Sequence, residues 1–330
     1  MKTAILGAGS WGTVLGILQS EAGHGVAVWA RSAAAAAEIE AQRENRRYLP
    51  GRRLGPGMTV SADIERSVRG ADMVVVAVPS AAVRETMARA RDALADGVIV
   101  CCASKGLEPG TRLTMDRVIG AEVPRARVAL LSGPSFAVEI ASGLPAAVVA
   151  AANQPAVAAE VQARFSGERF RVYTSDDVIG VAIGGALKNV VAIAVGFSDG
   201  LGFGSNARAA LITRGLNELG RLASALGGHP LTLSGLAGLG DLVLTCTGEL
   251  SRNRQVGLAL ARGETLPAIL GRLGQVAEGI ETARIARDLA DEMSIDMPIT
   301  RLVAAVLHEG KAAREGVAEL LARESKAERG

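Results

Sequence analysis

Aromatic side chains are scarce: Phe, Trp and Tyr together make up 3% of the 330 residues, so a core has to be built from Ala, Val, Leu and Ile. An excess of one charge is missing as well. Lys and Arg number 36 against 34 Asp and Glu, a net charge of +2. That excludes the basic stripe with interleaved aromatics expected of a nucleic-acid binder. Cysteine is limited to Cys101, Cys102 and Cys246. An odd number without metal-ligand spacing excludes a disulfide framework, gives no reason to expect a metal, and reads as reduced thiols of the cytosol. The N-terminal MKTAILGAGSWG lacks the apolar core and cleavage site of a signal peptide. A soluble, cytoplasmic protein is expected.

Long apolar runs are also rare. Val178–Phe197 is nearly uncharged and about long enough to span a bilayer. It carries Lys188 and Asn189 at its centre and is interrupted by glycines. A central Lys costs roughly 2.5–3.5 kcal/mol on the insertion scale. The segment reads as a buried helix, and no membrane anchor is expected.

What is present is ordinary for a globular chain: 49% hydrophobic and 21% charged residues, too apolar for disorder. The length suggests two domains. Thr3–Leu6, Val26–Trp29, Met73–Val78, Val98–Cys102, Val128–Leu131, Ala146–Ala150 and Phe170–Thr174 are strand-like, with helical periodicity between them, as in Ser10–Glu21 and Ser80–Ala95. Near-continuous apolar strands alternating with helices imply a mainly parallel sheet covered on both faces. After about residue 175 strand signals stop. Helical stretches follow at Val178–Val195, Asn206–Leu226, Asn253–Ala261, Ala283–Glu292 and Arg301–His308, joined by the Gly-rich loops GFSDGLGFG and GLAGLGD. A sheet domain over 1–175 and an all-helical domain over 176–330 are expected. The charged tail after Glu315 is expected to be an exposed helix that frays.

Gly7-Ala8-Gly9-Ser10-Trp11-Gly12 directly follows the first strand and opens the first helix. In a dinucleotide fingerprint the first glycine permits the tight turn, the second lets backbone approach a pyrophosphate, and the third allows close helix–strand packing. The helix N-terminus then offers N–H groups and a positive dipole end to the phosphates. About twenty residues on, where an acid would receive the ribose hydroxyls of NAD, stands Arg31, suited to the extra phosphate of NADP. NADP(H) is therefore favoured, with NAD(H) also possible.

A dehydrogenase built on such a turn needs a proton donor. Histidine is the usual choice, but His24, His229 and His308 have no acidic neighbour in a local motif. Lys188 is the single charge between Asp177 and Asp199, and burial pushes a lysine towards neutrality, the range useful for acid–base work. A lysine whose stem is buried while its head reaches water is the plainer alternative. Lys105 follows a strand at the carboxyl edge of the sheet, where ligands of open parallel sheets bind. Asp241 is isolated among glycines and leucines; placed near Lys188 it would oppose the desolvation shift. Ser251-Arg252-Asn253-Arg254 opens a helix, with Ser251 as its N-cap and a guanidinium suited to phosphate.

Together these segments resemble the bacterial NAD(P)-dependent glycerol-3-phosphate dehydrogenases. The resemblance runs in order through GAGSWGT, NRRYLPG, ADMVVVAVPS, SKGLE, LSGPSFA, GGALKN, SDGLGFGSNARAALITRG, GLAGLGDLVLTCTGELSRNR, QVAEG and DMPIT, covering residue 1 to about 310. It implies a Rossmann-type α/β sheet domain followed by an all-α domain of the 6-phosphogluconate-dehydrogenase-like kind, a homodimer, and reduction of dihydroxyacetone phosphate to sn-glycerol 3-phosphate for phospholipid synthesis. It implies Lys188 as proton donor and acceptor, with Lys105 and Asp241 beside it. Substrate contacts are implied at Lys105, Gly133, Ser135, Lys188, Asp241, Ser251, Arg252 and Asn253. Cofactor contacts are implied at Ser10, Trp11, Arg31, Tyr48, Lys105, Ala137, Arg252, Val276 and Glu278, besides the three glycines. A dehydrogenase of the 3-hydroxy-acid or ketopantoate type is the alternative, and it needs a carboxylate clamp in place of SRNR. A non-catalytic NADPH sensor is another, and it would have no use for a buried lysine.

Overall fold

The computed structural model describes residues 1–274 and 277–323. Strands and helices alternate first: β1 (Lys2–Leu6), α1 (Ser10–Glu21), β2 (Gly25–Trp29), α2 (Ala33–Gln42), β3 (Met58–Ser61), α3 (Ile64–Val68), β4 (Met73–Val76), α4 (Val83–Ala90), β5 (Ile99–Cys102), α5 (Met115–Glu122), β6 (Arg127–Ser132), α6 (Ala137–Ala141), β7 (Ala146–Ala151), α7 (Pro155–Phe165) and β8 (Phe170–Ser175). Among the described residues only helices follow: α8 (Val178–Gly200), α9 (Gly204–Ala225), α10 (Asp241–Thr247), α11 (Arg252–Ala261), α12 (Leu266–Leu273), α13 (Gly279–Glu292), α14 (Pro298–His308) and α15 (Ala313–Leu321).

The described strands form one sheet in the order β3-β2-β1-β4-β5-β6-β7-β8. All neighbours run parallel except β6 and β7. Successive side chains point to opposite faces. Ile5, Val75 and Cys101 accordingly join one core layer with Val14 and Leu15 of α1. Ala4, Leu6, Val74, Val76, Val100 and Cys102 join the other with Met87 of α4 and Val118 of α5. Burial on both faces is why these strands are apolar throughout rather than alternating. The order in which strands are added reverses between β1 and β4, and such a switch point opens a crevice at the carboxyl ends of the strands.

α8 is apolar all round because it is the axis of the helical region. Leu187, Val191 and Val195 face one cluster, and Val190, Ile193 and Phe197 face another. Val178 and Val181 reach back into the sheet's core. By length and hydropathy alone this helix could cross a membrane, but 89% of its most apolar window is buried inside the protein.

Several elements depart from the sequence-based expectation. β3 gave no strand signal: it is a short edge strand, half covered, with Thr59 and Ser61 in it. The single helix expected over Ser80–Ala95 is α4 flanked by two tight 3₁₀ turns. The GFSDG stretch, expected as loop, continues α8 to Gly200. Its glycines are there for contact: a Cβ on Gly196 would lie 2.3 Å from the carbonyl oxygen of Arg254, and one on Gly200 would lie 2.7 Å from Ala261 Cβ. GLAGLGD is a π-type turn running straight into α10. The charged C-terminal segment is not a wholly exposed helix, since Ala313 and Val317 of α15 pack into the core beside Leu302. Residues 324–330 of that segment lie outside the described residues.

Candidate active site

Lys105 leaves the carboxyl end of β5, and Lys188 stands midway along α8. Between them Asp241, the first residue of α10, is 1% exposed. Its Oδ1 accepts from Lys188 Nζ at 2.5 Å and its Oδ2 from Lys105 Nζ at 2.6 Å. Lys105 Nζ also donates to the carbonyl of Gly133 (3.0 Å), and Thr245 Oγ1 donates to the Asp241 carbonyl (2.6 Å). Burial lowers the Lys188 pKa to about 8, with the charge of Lys105 adding to that and the charge of Asp241 opposing it. Burial would raise the Asp241 carboxyl, but the two ammonium groups hold it below its ordinary value. The result is a lysine able to exchange a proton near neutral pH, held in place by an anion that stays ionised.

Gly133, just past β6, has φ +140°, and a Cβ there would lie 2.8 Å from Val148 Cα. Glycine is therefore required for its carbonyl to reach Lys105. Ser135 Oγ donates to the same carbonyl at 2.9 Å. Ser251 caps α11, its Oγ accepting from Arg254 N (3.3 Å). Asn253 is buried: its Nδ2 donates to Asn189 Oδ1 at 2.9 Å, and its Oδ1 accepts from Gly279 N at 3.0 Å. The first turn of α11 is thereby tied to the residue next to Lys188 and to the start of α13. Arg252, the first residue of α11, is exposed.

At the carboxyl end of β1 the three glycines have three distinct environments. Gly7 has φ +121°, and a Cβ on it would sit 2.5 Å from the Ala77 carbonyl oxygen. A Cβ on Gly12 would fall 2.0 Å from the Gly7 oxygen, so only glycine lets α1 start so close to the strand. Gly9, the N-cap of α1, has open space where its Cβ would be, and no side chain caps the helix. An uncapped N-terminus with free approach to its backbone fits a pyrophosphate. Ser10 Oγ donates to the Tyr48 carbonyl (2.7 Å), and buried Asn45 donates to the Ala8 carbonyl (2.9 Å) and to Thr13 Oγ1 (2.8 Å). The Trp11 indole packs towards Phe170, 6.4 Å between ring centroids, so the residue offers the turn its backbone. Arg31 is exposed just beyond β2, and Ser32 after it caps α2. Ala137 begins α6. Val276 lies outside the described residues.

Glu278 joins the sheet half to the helical half. Its Oε1 accepts from Ser80 N at 3.1 Å and its Oε2 from Ser80 Oγ at 2.5 Å. Burial raises the Glu278 pKa, against the hydrogen bonds from Ser80 and the charge of Arg252. Asn45, Asn189, Ser80 and Thr245 were not singled out from sequence. Asn189 carried one signal, an amide beside Lys188 in an otherwise apolar run. The histidines lie elsewhere: His24 is in the turn before β2, His229 Nδ1 accepts from Leu231 N, and His308 Nε2 lies 2.9 Å from the Ile280 oxygen.

Residues 2–158 match the family described as NAD-dependent glycerol-3-phosphate dehydrogenase N-terminus, and 177–318 match its C-terminus. The glycerol-3-phosphate dehydrogenase (NAD(P)+) of Anaeromyxobacter dehalogenans is 51% identical over 99% of this chain and 100% of its own. The crystal structure of glycerol-3-phosphate dehydrogenase from Coxiella burnetii superposes with a TM-score of 0.94 at 43% identity, over 98% of this chain and 99% of that one. A ketopantoate reductase from Ralstonia eutropha, 19% identical with a TM-score of 0.60 over 96% of this chain and 100% of its own, shares the fold alone.

Proposed function

This chain belongs to the NAD-dependent glycerol-3-phosphate dehydrogenase family and is an NAD(P)-dependent oxidoreductase, and from that premise we propose how its residues divide the reaction between dihydroxyacetone phosphate and sn-glycerol 3-phosphate. The observation that carries the division is the single buried carboxylate of Asp241 shared by Lys188 and Lys105.

Bound NAD(P)H supplies the hydride to the ketone carbon. Lys188 delivers a proton from Nζ to the ketone oxygen, so the carbonyl becomes a hydroxyl; in the oxidative direction the neutral amine takes that proton back. Lys105 polarises the same oxygen, and Asp241 keeps both ammonium groups aimed and charged. Arg252, Asn253, Ser251 and the N-terminal end of α11 hold the phosphate, with Gly133 and Ser135 lining the opposite wall. Gly7, Gly9, Ser10, Trp11 and Gly12 cradle the pyrophosphate. Tyr48, Ala137 and Glu278 complete the cofactor's surroundings. Arg31, exposed just beyond β2, would pair with the 2′-phosphate of NADPH, which supports a preference for NADP(H) over NAD(H). The substrate cleft runs between a cofactor domain, 1–175, and a substrate domain, 176–330. The enzyme works as a cytoplasmic homodimer supplying glycerophospholipid synthesis.

The test is NADPH absorbance after adding dihydroxyacetone phosphate to purified protein, with NADH in parallel and ketopantoate as a rival substrate. Consumption with dihydroxyacetone phosphate, faster with NADPH, is the expected result. Turnover of the keto acid instead, or tight NADPH binding without turnover of either ketone, would overturn the reading.

A further inference from the structure

The second arginine of Ser251-Arg252-Asn253-Arg254 has a use outside the substrate cleft. Arg254 donates through Nε (2.9 Å) and Nη2 (2.7 Å) to Oδ2 of Asp199, in the last turn of α8. Oδ1 of the same carboxylate accepts from Arg208 Nε of α9 at 2.9 Å. The Asp199 side chain is 5% exposed and that of Arg254 is 15% exposed. A nearly buried carboxylate taking two bonds from one planar fork and a third from another arginine is a directional tie, unlike a surface ion pair.

The tie acts on the start of α11. The Arg254 N–H is the donor to the Ser251 cap, while the guanidinium of the same residue is anchored on α8. Glycines let the two helices touch through their backbones. A Cβ on Gly257 would lie 2.1 Å from the Ile193 oxygen, as one on Gly196 would clash with the Arg254 oxygen. This contact sets how closely α11 approaches α8, and the Arg254–Asp199 pair sets its register and rotation. Lys188 stands about three turns away on the same helix α8. Charge points the same way. Two guanidiniums and a positive helix end crowd one turn, and the Asp199 carboxylate offsets the charge of Arg254 there.

We propose that Asp199 is a positioning residue for the phosphate subsite: through Arg254 it places Arg252 and Asn253 relative to Lys188. The inference rests on the reading of the substrate as a phosphate ester. Its test compares dihydroxyacetone phosphate with unphosphorylated dihydroxyacetone, which lacks the group that α11 would hold. In Asp199→Asn, KM for dihydroxyacetone phosphate should rise about tenfold, as for a slightly misplaced binding group. Turnover of dihydroxyacetone should stay at the wild-type value. Arg254→Lys, which keeps the charge and loses the fork, should fall in between. If Asp199→Asn does not fold, Asp199→Asn/Arg254→Gln removes the uncompensated charge and should show the same raised KM. An unchanged KM for the phosphate ester, or an equal loss on both ketones tracking a lower Tm, overturns the inference. A wild-type enzyme that ignores dihydroxyacetone phosphate overturns the reading beneath it as well.

Discussion

Lys188 Nζ lies 2.5 Å from Asp241 Oδ1 across 53 residues of chain, and both side chains are buried. An isolated ammonium in that place would shed its proton, and an isolated carboxylate would take one up. Each keeps the other ionised, and Lys105 on the second oxygen makes Asp241 the hub of the cluster. Replacing Lys188 by Ala should therefore lower kcat by about 10²–10⁴-fold, the usual contribution of a positioned acid–base group. NADPH affinity, measured by fluorescence titration, should be unchanged. An active Lys188→Ala enzyme would remove the residue from its role.

The direction of the Lys188 shift sets the pH profile. Burial brings its pKa to about 8, so it is an ammonium below that pH and an amine above it. Ketone reduction needs the ammonium and should decline as pH rises through about 8. Alcohol oxidation needs the amine and should climb over the same interval. In Lys105→Met the neighbouring positive charge that lowers the Lys188 pKa is gone, and Asp241 has one partner fewer. The inflection should move to higher pH. A shift downward would contradict the electrostatic assignment.

Arg252 is expected to act in binding rather than in chemistry. A charge-assisted hydrogen bond is worth about 1.5–3 kcal/mol, so Arg252→Ala should raise KM for dihydroxyacetone phosphate by about tenfold or more. Steady-state kinetics at saturating NADPH give the number. A Michaelis constant equal to that of the wild type would refute the phosphate contact.

Cofactor choice is testable at one position. Arg31→Asp replaces the proposed partner for the 2′-phosphate with an acceptor for ribose hydroxyls. The ratio of kcat/KM for NADPH to that for NADH should fall, and an unaltered ratio would count against the contact.

Two glycines of the same turn should behave oppositely. A methyl group on Gly12 meets the Gly7 oxygen, so Gly12→Ala should cost about 1–3 kcal/mol of stability. Gly9 has an ordinary φ of −81° and nothing within 4 Å of the added carbon. Gly9→Ala should keep the wild-type Tm in calorimetry while binding NADPH more weakly, because the methyl would fill the open space through which the turn is proposed to meet the pyrophosphate. Equal Tm losses in the two variants would contradict the division of labour.

Much of the fold was legible because its signals are local. Met73–Val76 and Ile99–Cys102 are buried on both faces, so they read as unbroken apolar runs. The glycine turn lies between a strand and a helix that each announce themselves, and Ser251 was a recognisable cap. Met58–Ser61 was silent because an edge strand covered on one side has no such pattern. The end of α8 was misread for the opposite reason. Gly196 and Gly200 look like loop residues, yet there they clear a path for α11, and helix propensity carries no information about a neighbour's backbone.

The candidate site divides along the same line. Sequence by itself determined that Lys188 sits in an apolar stretch, that Lys105 follows a sheet strand, and that Asp241 is an acid without charged neighbours. Each of these depends on residues a few positions away. Only the tertiary structure decided that Asp241 meets both lysines, one of them 136 residues distant, that Asn253 bonds Asn189 and Gly279, and that Glu278 reaches across to Ser80. Those meetings follow from how α8 packs against β6, α10, α11 and α13. A hydrogen bond tolerates displacements of only a few tenths of an ångström, and that precision comes from close-packed helices rather than from the spacing of letters along a chain.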